Sequence, residues 1–279
     1  MRASPDGRIF GWRPRVGGEP HEMALLVLRP EGATYKHHGI DANLLMPGTD
    51  GRTVCCHRGI LDLELNAILT SPVKNTSQPF IPAIQGPYFL QLISTEFTSR
   101  GKHDGRGTVV VHHSGSKTEL ARIPSVEGIF GVNMPYGEMK DLITYDRRVL
   151  FIPAAKLLIN IPGGNDRIVL RRFDVDAELE KSGKDYLLIE SEAPLTAVRG
   201  EEYRYQIDTK SKKGGVKHQI ESAPKDMTVS EAGLVRWKVP ADFNGNELKF
   251  SVSVSDSGGS ERIQSIQVDI VAADVPATK

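Results

Sequence analysis

The chain has two cysteines in 279 residues, too few for a disulfide scaffold. Neither charge is in excess. The 35 basic and 35 acidic side chains cancel, which argues against a general nucleic-acid binder, since such a protein needs a basic surplus. Long apolar runs are missing too. The longest lies around Met23 to Leu28, far short of the ~20 residues of a spanning helix, so no membrane span is expected. The N-terminus, Met1-Arg2-Ala3-Ser4-Pro5-Asp6-Gly7-Arg8, shows a turn where a signal peptide would show roughly 7–15 apolar residues. The expected compartment is therefore the cytoplasm, or the cell envelope or exterior if a signal lies upstream in a longer chain. No G-x-S-x-G nucleophile elbow, phosphate loop or CxxC pair occurs.

What is present is an ordinary globular composition, 39% hydrophobic and 25% charged, which excludes wholesale disorder. With 27 glycines and 17 prolines it favours a turn-rich, mostly β protein of one large domain or two smaller ones. Residues 1–190 read as short strands between turns, among them Arg8–Trp12, Ala24–Leu28, Thr53–His57, Tyr88–Ile93, Thr108–His113, Arg148–Ile152, Lys156–Ile161 and Arg167–Arg171. Ala177–Ser182 could form one or two helical turns. A weak repeat joins "SPDGRIFGW" at 4–12 to "PGTDGRTVCC" at 47–56, with "TYDRRVLFI" at 144–152 as a distant echo. In each full copy an Asp caps the turn and the following Gly adopts positive φ. Repeats of about 40–50 residues that form four-stranded units are the signature of propeller blades. The stretches 66–87 and 125–141 read as long loops.

After residue 190 a clean two-residue period takes over. Tyr203, Tyr205 and Ile207 share one strand face, Leu248, Phe250, Val252 and Val254 another, and Ile266, Val268 and Ile270 a third. About eighty residues of this kind, without a Cys pair, indicate a small immunoglobulin-like sandwich.

The stretch "APKDMTVSEAGLVRWKVPADFNGNELKFSVSVSDSGGS" resembles bacterial Ig-like and dystroglycan-type cadherin-like repeats. Pro224, Met227, Gly233, Leu234, Trp237, Pro240, Val252, Val254, Asp256 and Gly259 carry the match, which covers about 195–272. Asp226 stands where that family has Gly, and Asp tolerates left-handed geometry better than most residues. The first 190 residues more loosely resemble the closing blades of a WD40-like propeller, through "IPAAKLLINIP…DRIVLRRFDV…DYLLIES". These resemblances imply an all-β chain. Propeller blades, closing with upstream blades or as a minimal ring, occupy 1–190, an Ig-like sandwich 195–272 and a tail 273–279. They also imply part of a larger bacterial multidomain protein.

Candidate chemistry is sparse. Cys55, Cys56 and His57 are neighbours, but strand alternation sends Cys55 and Cys56 to opposite faces, one expected buried and one exposed. The same alternation splits His37-His38 and His112-His113. Ser114 and Ser116 lie beside histidines without triad spacing. Glu201-Glu202 and Asp174-Asp176 read as solvated pairs, and Lys210, Lys212 and Lys213 as a hairpin tip. The cadherin-like resemblance raises calcium, for which Asp242, Asp256, Asp269 and Asp274 are available, but no acidic cluster joins them and Asp256 reads as a turn residue. No catalytic, cofactor-binding or metal-binding residue is assigned. The expectation is a non-catalytic module that binds protein or polysaccharide. The alternative is a hydrolase with polar residues in a propeller funnel.

Overall fold

In a computed structural model of the chain, the described residues are 1–12, 23–38, 45–57, 59–70, 78–94, 106–116, 118–129 and 144–273. The chain is all-β, and the described residues include two short α-helices. No helix among the described residues is long and apolar enough to cross a membrane. The chain divides into two units. Met1–Leu28 and Ala33–Ser182 form the first; Gly183–Lys279, grouped with Arg29–Gly32, forms the second.

The first unit contains four antiparallel meanders in chain order. One comprises β1 (Arg2–Ala3), β2 (Ile9–Trp12), β3 (Met23–Arg29) and β4 (Gly32–His38). The next comprises β5 (Met46–Pro47), β6 (Thr53–Cys56), β7 (Gly59–Asp62) and β8 (Ala67–Thr70). The third comprises β9 (Phe80–Pro82), β10 (Tyr88–Ser94), β11 (Arg106–His113) and β12 (Ala121–Glu127). The fourth has β13 (Val149–Ile152), β14 (Leu157–Asn160) and β15 (Val169–Arg172), preceded by α1 (Tyr145–Arg148) and followed by α2 (Val175–Ser182).

The repeated turn has a common geometry. Asp50 Oδ1 accepts from the backbone N–H of Arg52 (2.9 Å) and Thr53 (2.9 Å), and Gly51 sits at φ +63°. Asp6 Oδ1 likewise accepts from Arg8 N–H (3.1 Å), with Gly7 at φ +69°. The same closing bond, from an N–H to the carbonyl five residues on, recurs at Ser4→Ile9 (2.8 Å), Gly48→Thr53 (2.8 Å) and Ala83→Tyr88 (2.9 Å). The third copy keeps only the glycine, Gly86 at φ +75°, which is why the sequence repeat fades there. In the distant echo at 144–152 the turn is wound into α1, where Arg147 N–H donates to Thr144 O (2.9 Å).

Each sheet meets the next. Leu25 and Val27 share a core with Leu45, Val54 and Cys56. Thr49 Oγ1 donates to Gly86 O (3.0 Å). Ile84 N–H donates to Phe151 O (2.9 Å), and Asn160 Nδ2 to Glu127 O (2.8 Å). Arg2 of β1 also reaches the entry to the fourth sheet, donating to Thr144 Oγ1 (3.0 Å) and Asp146 Oδ1 (3.2 Å).

Two expectations need correction. The stretch 66–87 is not one loop: it contains β8 and β9, short strands whose Pro-containing sequence hides their period. Its residues 71–77 lie outside the described residues, as do residues 130–141 of the second expected loop, whose first residues 125–127 belong to β12, and the tail 274–279. Leu187–Ile189, read with the first region, pairs with Thr209–Ser211 and so belongs to the second unit.

The second unit packs two main sheets over one core, with a third, two-stranded sheet. It contains β16 (Leu187–Ile189), β17 (Thr196–Val198), β18 (Glu202–Gln206), β19 (Thr209–Ser211), β20 (Lys217–Ser222), β21 (Thr228–Val229), β22 (Leu234–Lys238), β23 (Glu247–Ser255) and β24 (Glu261–Val271). β16 pairs with β19 in the small sheet. Of the main sheets, one runs β17-β24-β23-β20 with β17 parallel to β24; the other runs β18-β22-β21. Tyr203, Tyr205, Trp237, Phe250, Val252, Ile266 and Val268 fill the core between them. Tyr203 meets Phe250 edge-on at 6.0 Å, and Trp237 meets Phe243 edge-on at 5.5 Å. Asp226 takes φ +69°, in the left-handed region.

Candidate functional site

The first sheet has two unlike faces. Alternation along β2 and β3 sends Ile9, Met23, Leu25 and Val27 into the core shared with the second sheet. Gly11 belongs to that inner face and lies so close to Leu45 that a Cβ would stand 2.8 Å from the leucine's Cβ. The other face presents Phe10, Trp12 and Leu26, all half-buried, and Leu28, exposed. Tyr35 of β4 is 56% exposed and its ring lies 5.8 Å from that of Trp12. Ala24, opposite Trp12 in the ladder and fully buried, is the small residue that lets these rings approach. His37, exposed, continues the row at 6.4 Å from Tyr35.

The result is a row of three rings on a sheet face, held by backbone pairing beneath it. Such a face offers π-surfaces flanked by a phenol hydroxyl and an imidazole. Apolar C–H faces of a flat, extended ligand can lie on the rings while its hydroxyls bond to the polar edges.

The residues singled out from sequence lie elsewhere. Cys55 and Cys56 are both buried, which corrects the expectation of one exposed thiol: Cys56 packs in the core under the first sheet, and Cys55's opposite face is covered as well. Burial, with Asp50 and Cys56 nearby, holds the Cys55 thiol well above its usual range, so it is a poor nucleophile. His57 is buried at the end of β6.

His112 and His113 point to opposite faces of the third sheet. His112 stacks on Phe80 at 5.5 Å, and its Nε2 donates to Gln91 Oε1 (3.1 Å), whose amide donates to Gln78 Oε1 (2.8 Å). That tautomer is assigned from the bond directions, and burial lowers the His112 pKa. His113 Nδ1 accepts from Gly115 N–H (2.9 Å), and its ring meets Tyr88 edge-on. Ser116 Oγ bonds within its own turn, to Thr118. The side chain of His38 lies outside the described residues.

The acidic candidates are structural. Asp256 Oδ1 accepts from Gly258 N–H (2.9 Å) and Ser260 N–H (3.0 Å), and Oδ2 from Ser211 Oγ (2.7 Å). The Ser211 bond is the main cause of its lowered pKa. Asp174 does not simply face solvent: it caps α2 through Asp176 N–H (3.1 Å) and pairs with Lys156 (2.6 Å). Glu202 pairs with Arg204, and Lys213 with Asp185 at 3.2 Å. Asp274 lies outside the described residues. Among those residues no group of three or more His, Cys, Asp or Glu is placed to hold a metal ion. Sequence reasoning noted His37 but missed Trp12 and Tyr35. The Phe10-Gly11-Trp12 alternation, aromatic on one side and glycine on the other, was the available signal.

No family model matches the chain, and no curated protein sequence matches it. Several solved structures are weakly similar, among them these two. One, a Bacteroides fragilis protein described as an alpha-galactosidase/melibiase candidate, is 17% identical over 30% of this chain and 17% of its own length, with a TM-score of 0.26. The other, an endo-fucoidan hydrolase of glycoside hydrolase family 107, is 10% identical over 95% of this chain and 37% of its own length, also with a TM-score of 0.26. The chain thus spans well under half the length of either.

Proposed function

We propose that the chain is a non-catalytic binding module of a larger bacterial protein, and that the first sheet's aromatic row takes an extended polysaccharide. The single observation behind this is the contiguous ring row of half-buried Trp12 with exposed Tyr35 and His37. Contiguous aromatic rings left partly exposed on a sheet face mark contact sites. A pyranose is favoured over a protein because it presents just the two chemistries the row offers, a C–H face and ring hydroxyls.

We read the four meanders as WD40-like propeller blades. The recurring turn, the sheet-to-sheet contacts and the Arg2–Asp146 pair support that architecture. The second unit fits an Ig-like sandwich of the cadherin-like kind, through its two-sheet core and the turns at Asp226 and Asp256. Partners are then polysaccharides rather than nucleic acid.

Affinity electrophoresis of the full chain through gels containing neutral and acidic polysaccharides tests the proposal. At least one polysaccharide should retard the chain. Tyr35→Ala and Trp12→Ala should each weaken that binding by about tenfold or more, as truncation of a central aromatic anchor does. No retardation by any of them, or retardation that both variants keep, would sink it.

A further inference from the structure

The four meanders of the first unit end in outer strands β4, β8, β12 and β15, each with one side of its backbone facing away from the sheet. Open edges invite pairing with other chains, and proteins usually blunt them. Three of the four are blunted. The lysine of β4, Lys36, is tied to Glu64. The β8 ladder is broken by an irregularity opposite Ile60 and Leu61. The edge of β12 contains Pro124, which has no N–H, and Ser125 at φ +55°.

β15 is short and its exposed charge is Arg172, but it carries no bulge, no Pro and no left-handed residue. Its four residues pair with β14 in unbroken register, from Leu157↔Arg172 to Asn160↔Val169. Phe173 N–H donates to Lys156 O, so by antiparallel alternation the N–H and C=O of Leu170 and Arg172 point outward. Beside them stand Ile168, 66% exposed, and Leu170, 63% exposed, among the most exposed large apolar side chains of the described residues. Arg172 is exposed and forms no ion pair among the described residues. Asp166 is exposed and bonds only to the adjacent Arg167.

We infer that β15 pairs antiparallel with β15 of a second copy of this chain, about a two-fold axis at Val169. This register is self-complementary. It sets Ile168 against Leu170 of the second copy, and brings Arg172 beside Asp166 in the bend that precedes the strand, each twice. Opposite charge therefore meets at both ends and apolar side chains meet in the middle. The two fourth sheets fuse into one of six strands. Arg167 and Arg171, which this register also brings opposite each other, are already engaged on their own chain, with Glu127 (2.8 Å) and with Ser125 O (2.6 Å). The pairing is independent of the polysaccharide proposal.

Sedimentation equilibrium of the full chain decides it. At about 100 µM the mass should approach twice 30.6 kDa. Arg172→Asp should weaken the dimer about tenfold, because it removes two pairs and adds two repulsions. The double variant Asp166→Arg/Arg172→Asp should restore it, since the exchange keeps the charges matched. Leu170→Pro removes an outward N–H while sparing the β14 ladder, and should give a monomer whose circular dichroism is unchanged. A chain that stays monomeric at this concentration overturns the inference. So does a dimer indifferent to Arg172→Asp, or one that the charge exchange fails to restore. Because the charge variants alter only exposed side chains, misfolding of Leu170→Pro would leave the test intact.

Discussion

Arg148 is the most buried charged side chain of the first unit, at 1% exposure, and replacing it with Met tests why it is there. Its guanidinium donates to Ile161 O (2.8 Å), Pro162 O (2.7 Å) and Asn165 Oδ1 (2.8 Å), pinning the turn after β14 to the start of β13. Its stem passes Gly128, where a Cβ would stand 3.0 Å from Arg148 Cδ. Met keeps the stem's bulk, so the cavity term is small. The cost comes from the oxygens left behind. Pro162 is buried and cannot recruit water, Ile161 is half-buried, and Asn165 is exposed and can. At about 1–3 kcal/mol per stranded buried group, one full loss and one partial loss give about 2–4 kcal/mol. For a unit of this size, ~2–4 °C per kcal/mol lowers its melting transition by about 4–16 °C. Lys, with one ammonium in place of a fork, should recover part of this. Scanning calorimetry of the parent, Arg148→Met and Arg148→Lys reads both. If Arg148→Met melted within about 1 kcal/mol of the parent, the desolvation of the buried cation would cancel what its bonds contribute, and the pinning role would be wrong.

Two further outcomes follow from the same geometry. Burial lowers the His112 pKa, so the unfolded chain takes up that proton first: the contribution is complete above about pH 6.5 and is lost as pH falls toward the lower folded value. Urea unfolding of the first unit should therefore weaken from pH 7 to pH 5, with a shallower slope in His112→Gln; equal slopes would exclude His112 as the source. In the second unit, Gly233→Ala combines φ +81° with a Cβ placed 2.9 Å from Ile207 O, whereas Gly259→Ala at φ +78° meets nothing within 4 Å. The first should lower the urea midpoint by clearly more than the ~1 kcal/mol that left-handed strain alone costs the second; equal losses would mean the backbone near Ile207 gives way.

The two units were unequally legible in sequence for a physical reason. The sandwich has one covered face per sheet, so burial follows a two-residue period and the core positions from Tyr203 to Ile270 stand out. The Asp-Gly turns were legible because capping and positive φ are local demands. The first unit hides more. Thr53–Cys56 is buried at all four positions and His113 and His112 lie on opposite, equally covered faces, so alternation tells direction but not exposure. That is why Cys55 and Cys56 could be split between faces yet not judged solvent-free. The folding of Tyr145–Arg148 into a helical turn depends on what Arg2 and Arg148 reach across the unit, contacts no window of sequence contains.

Burial on both faces also bears on where recognition can occur. Strands β6, β10 and β11 are almost wholly buried, so their polar members, such as Gln91 and His112, bond within the protein and cannot meet a large ligand. The proposed binding therefore rests on a sheet face that is left open. In the first sheet the inner face is filled by Ile9, Met23 and Leu25, and the outer face grades from buried Ala24 through half-buried Leu26 to exposed Leu28. Along that gradient a solubility-driven sequence would place Thr or Lys. It places Trp12, half-buried, and Tyr35 and His37, both exposed, instead, and this is the surface on which the binding proposal rests.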